Sequence, residues 1–518
     1  MTVDQTYPGV YVQELPSGVR PIAGVPTSIT AFIGRASRGP VNETTRVQSI
    51  VEYTRVFGEL WLESTMSYAV RHFFQHGGTD ALIVRVFNGD LATNSATLTL
   101  STASGSLVLE AASPGRWGSS LQVIVDHDTR DTTDPLLFNL TVAELEAPGS
   151  TDPVAVEIFP NVSVDPASDR FVNDVIDGTS GLVRVRSSAP ENESPVDAVI
   201  SAVGAATDDG SPISDAEITG DQAAGTGIFA LDSADLFNLL CIPPLERDRD
   251  LAGPTWAAAA SYCQDRRAML IVDSPAAWTA TPSTTIADAE TGVNDLRAAI
   301  GTDDAINAMA YFPRLRMDDP LTEDQPSDFA PCGAIAGIIA RNDVQRGVWR
   351  AAAGLDTSFS GVQGLTHTMT DAQNGVLNPL GLNCLRTFSI YGNVVWGART
   401  LAGADQLASE WKYIPVRRVA LFIEESLFRG TQWVVFEPND ESLWAQIRLN
   451  VGAFMEGLFR QGAFQGATPS DAYFVKCDAE TTTQNDIDQG VVNVVVGFAP
   501  LIPAEFVVIT IAQIADPA

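Results

Sequence analysis

Residues 27–34 (TSITAFIG) and 81–87 (ALIVRVF) are strand-like runs joined by helical stretches. The same order of strand, helix and strand returns through 236–242 (LFNLLCI), 268–273 (AMLIVD) and 307–312. Two consecutive strands with a helix between them pair in parallel, because a crossover returns the chain to the same end of the sheet. The alternation therefore predicts a parallel, doubly wound α/β sheet over 226–365 and an α/β layer before it.

The helices are legible from their ends and faces. Ser49 with Glu52 three residues on has the spacing of a capping box. Met66, Ala69, Val70, Phe73 and Phe74 fall on one helical face, and Gly77-Gly78 supplies the stop. Further helices are expected after Thr255 as cap, over 285–300, around 416–428 and over 441–460, the last with Leu443, Ile447, Val451, Phe454 and Leu458 on one side.

Between about 96 and 186 the apolar period changes to two. Leu98/Leu100, Leu107/Leu109, Leu121/Val123/Val125, Leu140/Val142 and Val154/Val156/Ile158 alternate with other residues, the pattern of half-buried strands. A β-rich insertion over 93–225 is expected, ending in a Ser-, Pro-, Asp- and Gly-rich linker at 187–226. Three strand-like runs close the chain at 472–477, 491–498 and 505–511.

Charge narrows the partners. There are 64 acidic against 31 basic residues, a formal charge of −33, and lysine occurs only at 412 and 476. Such a surface repels phosphate backbones and anionic lipid, which argues against nucleic acid and against a polybasic membrane tether. The five cysteines (241, 263, 332, 384 and 477) are scattered and contain no C-x-x-C pair, as expected of reduced, buried thiols. The start MTVDQTYPGVYVQEL lacks the pattern of a signal peptide, so synthesis and assembly in the cytoplasm are expected. The apolar stretch 491–514 is interrupted by Asn493, Pro500, Pro503 and Glu505 and reads as strands, with no membrane insertion.

Catalytic patterns are sparse. No G-x-S-x-G elbow, Walker A loop or G-x-G-x-x-G helix start occurs. Asp273 stands at the carboxyl end of a strand, where α/β folds place ligand residues, but it reads more simply as a cap for the turn before Ser274-Pro275. His72 and His76 have the spacing of a zinc helix, yet Phe73 occupies the place of the catalytic glutamate, and both point away from the apolar stripe, as surface residues would. The acidic loops Asp126–Asp134 and Asp208–Asp221 lack calcium-loop spacing. No cofactor and no metal are expected, and an enzyme is the minority reading. The alternatives are a structural polymer, a non-contractile binding module and, weakest, a hydrolase using Asp273.

Both ends carry detached strands: Val10, Tyr11, Val12, Gln13, Glu14 and Leu15 after Tyr7-Pro8-Gly9, and Phe506, Val507, Val508, Ile509, Thr510 and Ile511 after Pro503. A terminal apolar strand completes its hydrogen bonds by joining a sheet edge, either its own or a neighbour's, and head-to-tail exchange that does not close yields an open helical polymer.

The stretch YPGVYVQELPSGVRPIAGVPTSITAFIGRASRGP (7–40) resembles the N-terminus of contractile tail sheath proteins of myophage tails and phage-tail-like injection systems. WGARTL (396–401), WKYIPVRR (411–418), FEPND (436–440), LW (443–444), GAFQG (462–466), AYFVKCD (472–478) and PAEFV (503–507) follow in the family's order. SPGRWG (113–118), LFNLLCIPP (236–244) and GVWRAAAG (347–354) extend the match. The resemblance implies an α/β and α+β multidomain chain. Its expected parts are a sheath core from both chain ends (21–92 with 366–500), a subtilisin-like α/β middle domain without a catalytic triad (226–365), and a β-rich outer insertion (93–225). It also implies arms at 1–20 and 501–518, a helical stack of hexameric rings around an inner tube protein, and baseplate and cap partners. The tube is expected to meet Arg417, Arg418, Glu424, Glu425 and Arg429.

Overall fold

The computed structural model describes residues 20–190, 192–202 and 207–507. The chain divides into two compact units. Among the described residues, one comprises 20–27, 342–351 and 413–507, and the other lies within 28–341 and 352–412. The architecture is mixed α/β with several sheets.

The larger unit is built on an eight-stranded sheet. Its strands run, edge to edge, Gly392–Val395, Leu382–Phe388, Ala308–Phe312, Met269–Asp273, Leu239–Cys241, Thr30–Gly34, Ala81–Arg85 and Thr44–Val47. The six inner strands pair in parallel, as the strand–helix alternation requires, and an antiparallel strand closes each edge. Thr30–Gly34 pairs with both Ala81–Arg85 and Leu239–Cys241, so the segments 21–92 and 226–365, expected in separate domains, share one sheet. Buried Val, Ile, Leu and Ala from these strands and from the helices Gly253–Asp265 and Thr285–Ile300 form its core.

Two local expectations change. Ser49 caps the helix Ile50–Phe57 through the Glu52 N–H, but the Glu52 carboxylate accepts from Gln48 instead of closing the box on Ser49. The helix expected after Thr255 starts at Gly253 without a side-chain cap, because Thr255 is already inside it and donates its hydroxyl to Asp215 at 2.5 Å.

The insertion is two antiparallel sheets closed over one apolar core. One has the order Ala198–Ser201, Leu121–Asp126, Leu137–Leu145, Pro153–Ser163, and the other Thr97–Ser101, Ser106–Ala111, Val183–Ser187. The expected inward residues are buried in four of the five strands. In the outer strand the alternation holds with the opposite sense: Phe159 turns inward while Val154, Val156 and Ile158 face solvent. The segment 187–226 is less of a linker than its composition suggests. Its Ala198–Ser201 adds to a sheet, and Ser214 and Glu217 form a capping box on the short helix Asp215–Thr219, burying Ile218.

Candidate assembly surface

The smaller unit centres on the helices Ile414–Gly430 and Glu441–Arg460. Leu443, Ile447, Val451 and Leu458 are buried as expected, with Met455 and Trp444 completing the face. Val419 and Ile423 of the first helix pack against it. The residues 20–27 cross this pair: the Arg20 N–H donates to Asn450 Oδ1 at 2.9 Å and the Val25 N–H to Ser426 Oγ at 3.2 Å. Gly24 lies so close to Phe422 that a Cβ there would stand 2.8 Å from the ring.

A two-stranded ribbon, Tyr473–Lys476 with Val495–Phe498, packs onto this core through Phe464, Tyr473 and Phe498. Among the described residues neither strand of the ribbon has a second neighbour. Beyond it the Gln465 N–H donates to the Ala499 carbonyl at 2.9 Å, Pro500 bridges antiparallel to Phe464, and residues 501–507 then run without strand pairing. Glu505 accepts from the Tyr413 hydroxyl at 3.3 Å, while Phe506 and Val507 are 77% and 80% exposed. Val10–Leu15 and Val508–Ile511 lie outside the described residues. Val435 and Phe436 form a further apolar tip, with Phe436 held at φ +71°, a left-handed conformation unfavourable for a bulky side chain.

The five charges expected to meet the tube separate by environment. Arg418 is 5% exposed and donates to both carboxylate oxygens of Asp343, at 2.8 and 2.5 Å, and to the Thr27 carbonyl at 2.8 Å. Thr27 in turn donates its hydroxyl to Asp343, so this charge is committed to holding three segments of the unit together. Arg417 and Glu425 are also buried; Arg417 faces Glu424 at 3.6 Å, and Arg429 donates to Glu425 at 2.7 Å. Burial of the Arg417 guanidinium lowers its pKa, an effect Glu424 opposes. Of the five, Glu424 and Arg429 keep the most accessible side chains. Sequence spacing could not separate them, because the burial of Arg418 is set by Asp343, 75 residues away.

The residues weighed for chemistry are structural. Asp273 is buried and its Oδ1 accepts from the Cys332 N–H at 2.8 Å, capping the helix Cys332–Arg346. The turn after Pro275 is capped instead by Asp250, which accepts from the Ala276 N–H at 2.9 Å. Loss of hydration pushes the Asp273 carboxyl up to about 6, against the pull of the Cys332 hydrogen bond and Arg314.

His72 and His76 are buried, contrary to the expectation of surface positions. The helix Cys332–Arg346 lies over them: a Cβ on Gly333 would meet the Ala69 carbonyl at 2.0 Å, and one on Gly337 the Phe73 carbonyl at 2.4 Å. Phe329 stands edge-on to His72 and Phe359 to His76. His76 Nε2 accepts from the Ser360 N–H at 3.1 Å, which leaves Nδ1 to carry the proton given to the His72 carbonyl at 2.7 Å. All five cysteines are buried and unpaired. Among the described residues no cluster of His, Cys, Asp or Glu is placed to hold a metal, and no helix is long and apolar enough to cross a membrane.

Comparison with known proteins bears on this surface directly. Residues 407–514 match the phage tail sheath C-terminal domain, which covers the helix pair, the ribbon and the segment beyond it. The tail sheath protein of Burkholderia phage BcepMu is 24% identical over 472 residues, 88% of this chain and 87% of that protein. The sheath of an extracellular contractile injection system, PVC, solved in its contracted state, aligns with a TM-score of 0.57 at 20% identity, covering 99% of each chain. The sheath tail protein Lin1278 of Listeria innocua aligns with a TM-score of 0.61 at 14% identity, covering 93% of this chain and 96% of that one. A family match on the helix pair and ribbon, a relative spanning nearly the whole chain and a fold shared from end to end agree: residues 407–514 carry a phage tail sheath C-terminal domain, and the chain is similar along nearly its whole length to tail sheath proteins.

Proposed function

We propose that the protein is the repeating subunit of a contractile sheath that stacks in hexameric rings around an inner tube, with a baseplate at one end and a cap at the other. The observation that carries this reading is the pairing of a two-stranded ribbon lacking further neighbours among the described residues with a C-terminal segment that leaves it bearing exposed Phe506 and Val507. Unsatisfied strand edges and detached apolar strands are complementary parts, and each subunit can supply one to the next. In this reading Val10–Leu15 and Phe506–Ile511 are the exchanged arms, while 226–365 is a subtilisin-like layer without a triad whose role is mechanical. Its Asp273 is occupied as a helix cap, which supports a non-enzymatic role.

Contraction needs no nucleotide in this scheme. An extended stack is held in a kinetic trap, and free energy is released when rigid domains gain lateral contacts while the arms keep neighbours joined. Deletion of residues 1–16 is expected to abolish tube formation as seen by negative-stain electron microscopy, and ordinary cylinders from the truncated chain would refute the arm assignment. Tube recognition is assigned to the outer side of the helix Ile414–Gly430, around Glu424 and Arg429. The double charge reversal Glu424→Lys with Arg429→Glu is expected to leave empty sheaths able to form but to cut co-assembly with the tube at least tenfold, measured by co-sedimentation. Unchanged co-sedimentation would remove this helix from the tube contact.

A further inference from the structure

We propose that the outer face of the insertion's four-stranded sheet packs against a second copy of this chain in the assembled sheath, an inference that rests on the polymer proposed above. Pairing register aligns two rows across that face. Val199 stands beside Ile124, Ile124 beside Thr141 and Thr141 beside Ile158; in the next row Gln122 stands beside Ala143, and Ala143 beside Val156. Val199 and Ile158 are 62% and 67% exposed at opposite ends of the first row, and Val154 and Val156 continue the apolar strip along the outer strand. The other face of the same sheet is already sealed by Val123, Leu140, Val142 and Phe159 against the insertion's own core. Isolated exposed apolar residues need no explanation, but a contiguous β-branched patch on a sheet face marks a contact surface.

The outer strand shows how the contact is made. Pro153 and Pro160 remove backbone donors from it, and the register slips between Phe138 and Leu140 where Asn161 takes a φ of +52°. Proline and a bulge blunt a sheet edge against strand addition. What remains available is the face.

Charge identifies the occupant. The chain carries a formal charge of −33, so two copies repel each other wherever acidic surfaces meet. Neither row contains a charged residue; just beyond the first row Asp126 accepts from Asn139 at 2.6 Å, and Asp197, two residues from Val199, lies 2.5 Å from the His127 ring. A cationic partner would select the acidic surface elsewhere, whereas an uncharged apolar face is where acidic copies can approach. Strand spacing gives the patch roughly 300 Å². That is well below the ~800 Å² per partner of a stable solution complex. The contact therefore holds only between subunits already tethered by other interfaces, where effective concentration is high.

The test uses the full chain carrying Ile158→Cys and Val199→Cys, with the five native thiols buried as background. After assembly, a short bis-maleimide is expected to yield covalent multimers of this chain in tubes and none in dilute unassembled protein. In parallel, Ile158→Glu is expected to leave the melting of the unassembled chain unchanged and to raise the concentration needed for tube formation several-fold. Wild-type tubes in which the double variant stays uncross-linked, or links only to a different protein, while Ile158→Glu assembles normally would overturn the inference. Failure of the wild-type chain to form tubes, with or without its tube protein, would instead overturn the polymer reading and this inference with it.

Discussion

Replacing Arg85 with methionine is expected to destabilise the larger unit by about 3–6 kcal/mol, among the largest effects available from a single side chain. Arg85 is fully buried, and its guanidinium donates from Nε to the Ala36 carbonyl at 3.0 Å, from one terminal nitrogen to Gly39 at 2.7 Å and from the other to Pro114 at 2.9 Å. Burial lowers its pKa to about 10, so it stays charged at neutral pH, with carbonyl dipoles in place of a carboxylate partner within hydrogen-bonding distance. Methionine fills the space but leaves three acceptors inside the protein without donors. Lysine is expected to rescue little, since a single ammonium cannot reproduce a planar fork aimed at three carbonyls. Because Pro114 lies in the motif SPGRWG within the insertion, limited proteolysis should cut first near the junction of the insertion with the sheet. Urea unfolding of Arg85→Met within about 1 kcal/mol of wild type would contradict this account.

Stability is also expected to fall as pH drops from about 6.5 towards 4, and His72 is the principal cause. Its burial, with smaller contributions from His76 and Arg71, lowers its pKa from 6.5 to about 3. A base depressed in the folded state binds protons preferentially when unfolded, so the stability present above pH 6.5 is lost on acidification, up to about 5 kcal/mol by pH 3. The pKa of His76 is lowered in the same direction by burial, and its protonation would also remove the acceptor used by Ser360.

Asp273 works the other way. With a folded pKa of about 6 against 3.8, it contributes stability below pH 3.8 that is lost as pH rises through 6, about 3 kcal/mol. Its opposite pH dependence therefore partly masks that of His72 between pH 4 and 6. His72→Phe should flatten the acid limb of the stability curve. Asp273→Asn, which retains an oxygen for the Cys332 N–H, should raise stability at pH 7 and steepen the acid limb. Urea titrations at several pH values read both, and an unaltered acid slope in His72→Phe would refute the assignment.

Local pattern carried much of the fold. The strand–helix alternation specified the parallel sheet, and apolar stripes located the helices of both units, because the residues that determine these features lie within a few positions of one another. The errors have a common origin in partners distant in sequence. His72 and His76 read as surface residues because the small face of Gly333 and Gly337 that covers them comes some 260 positions later. Val154, Val156 and Ile158 obeyed the period of two, but alternation alone does not say which set faces inward, and Phe159 with Ala155 took the core side. At the candidate surface, terminal strands and charged helix positions were visible in sequence, whereas the commitment of Arg418 to Asp343 was not.

The smaller unit also has a consequence for biosynthesis. Its pieces come from both extremes of the chain: the Arg20 amide finds its acceptor on Asn450, 430 residues downstream. The larger unit has all its residues once position 412 has been made, and it can fold while translation continues. The helix pair, the ribbon and the residues crossing them can come together only after residues 413–498 have left the ribosome. The surface proposed for assembly is thereby kept unformed while the larger unit is being made, on polysomes where nascent copies crowd together.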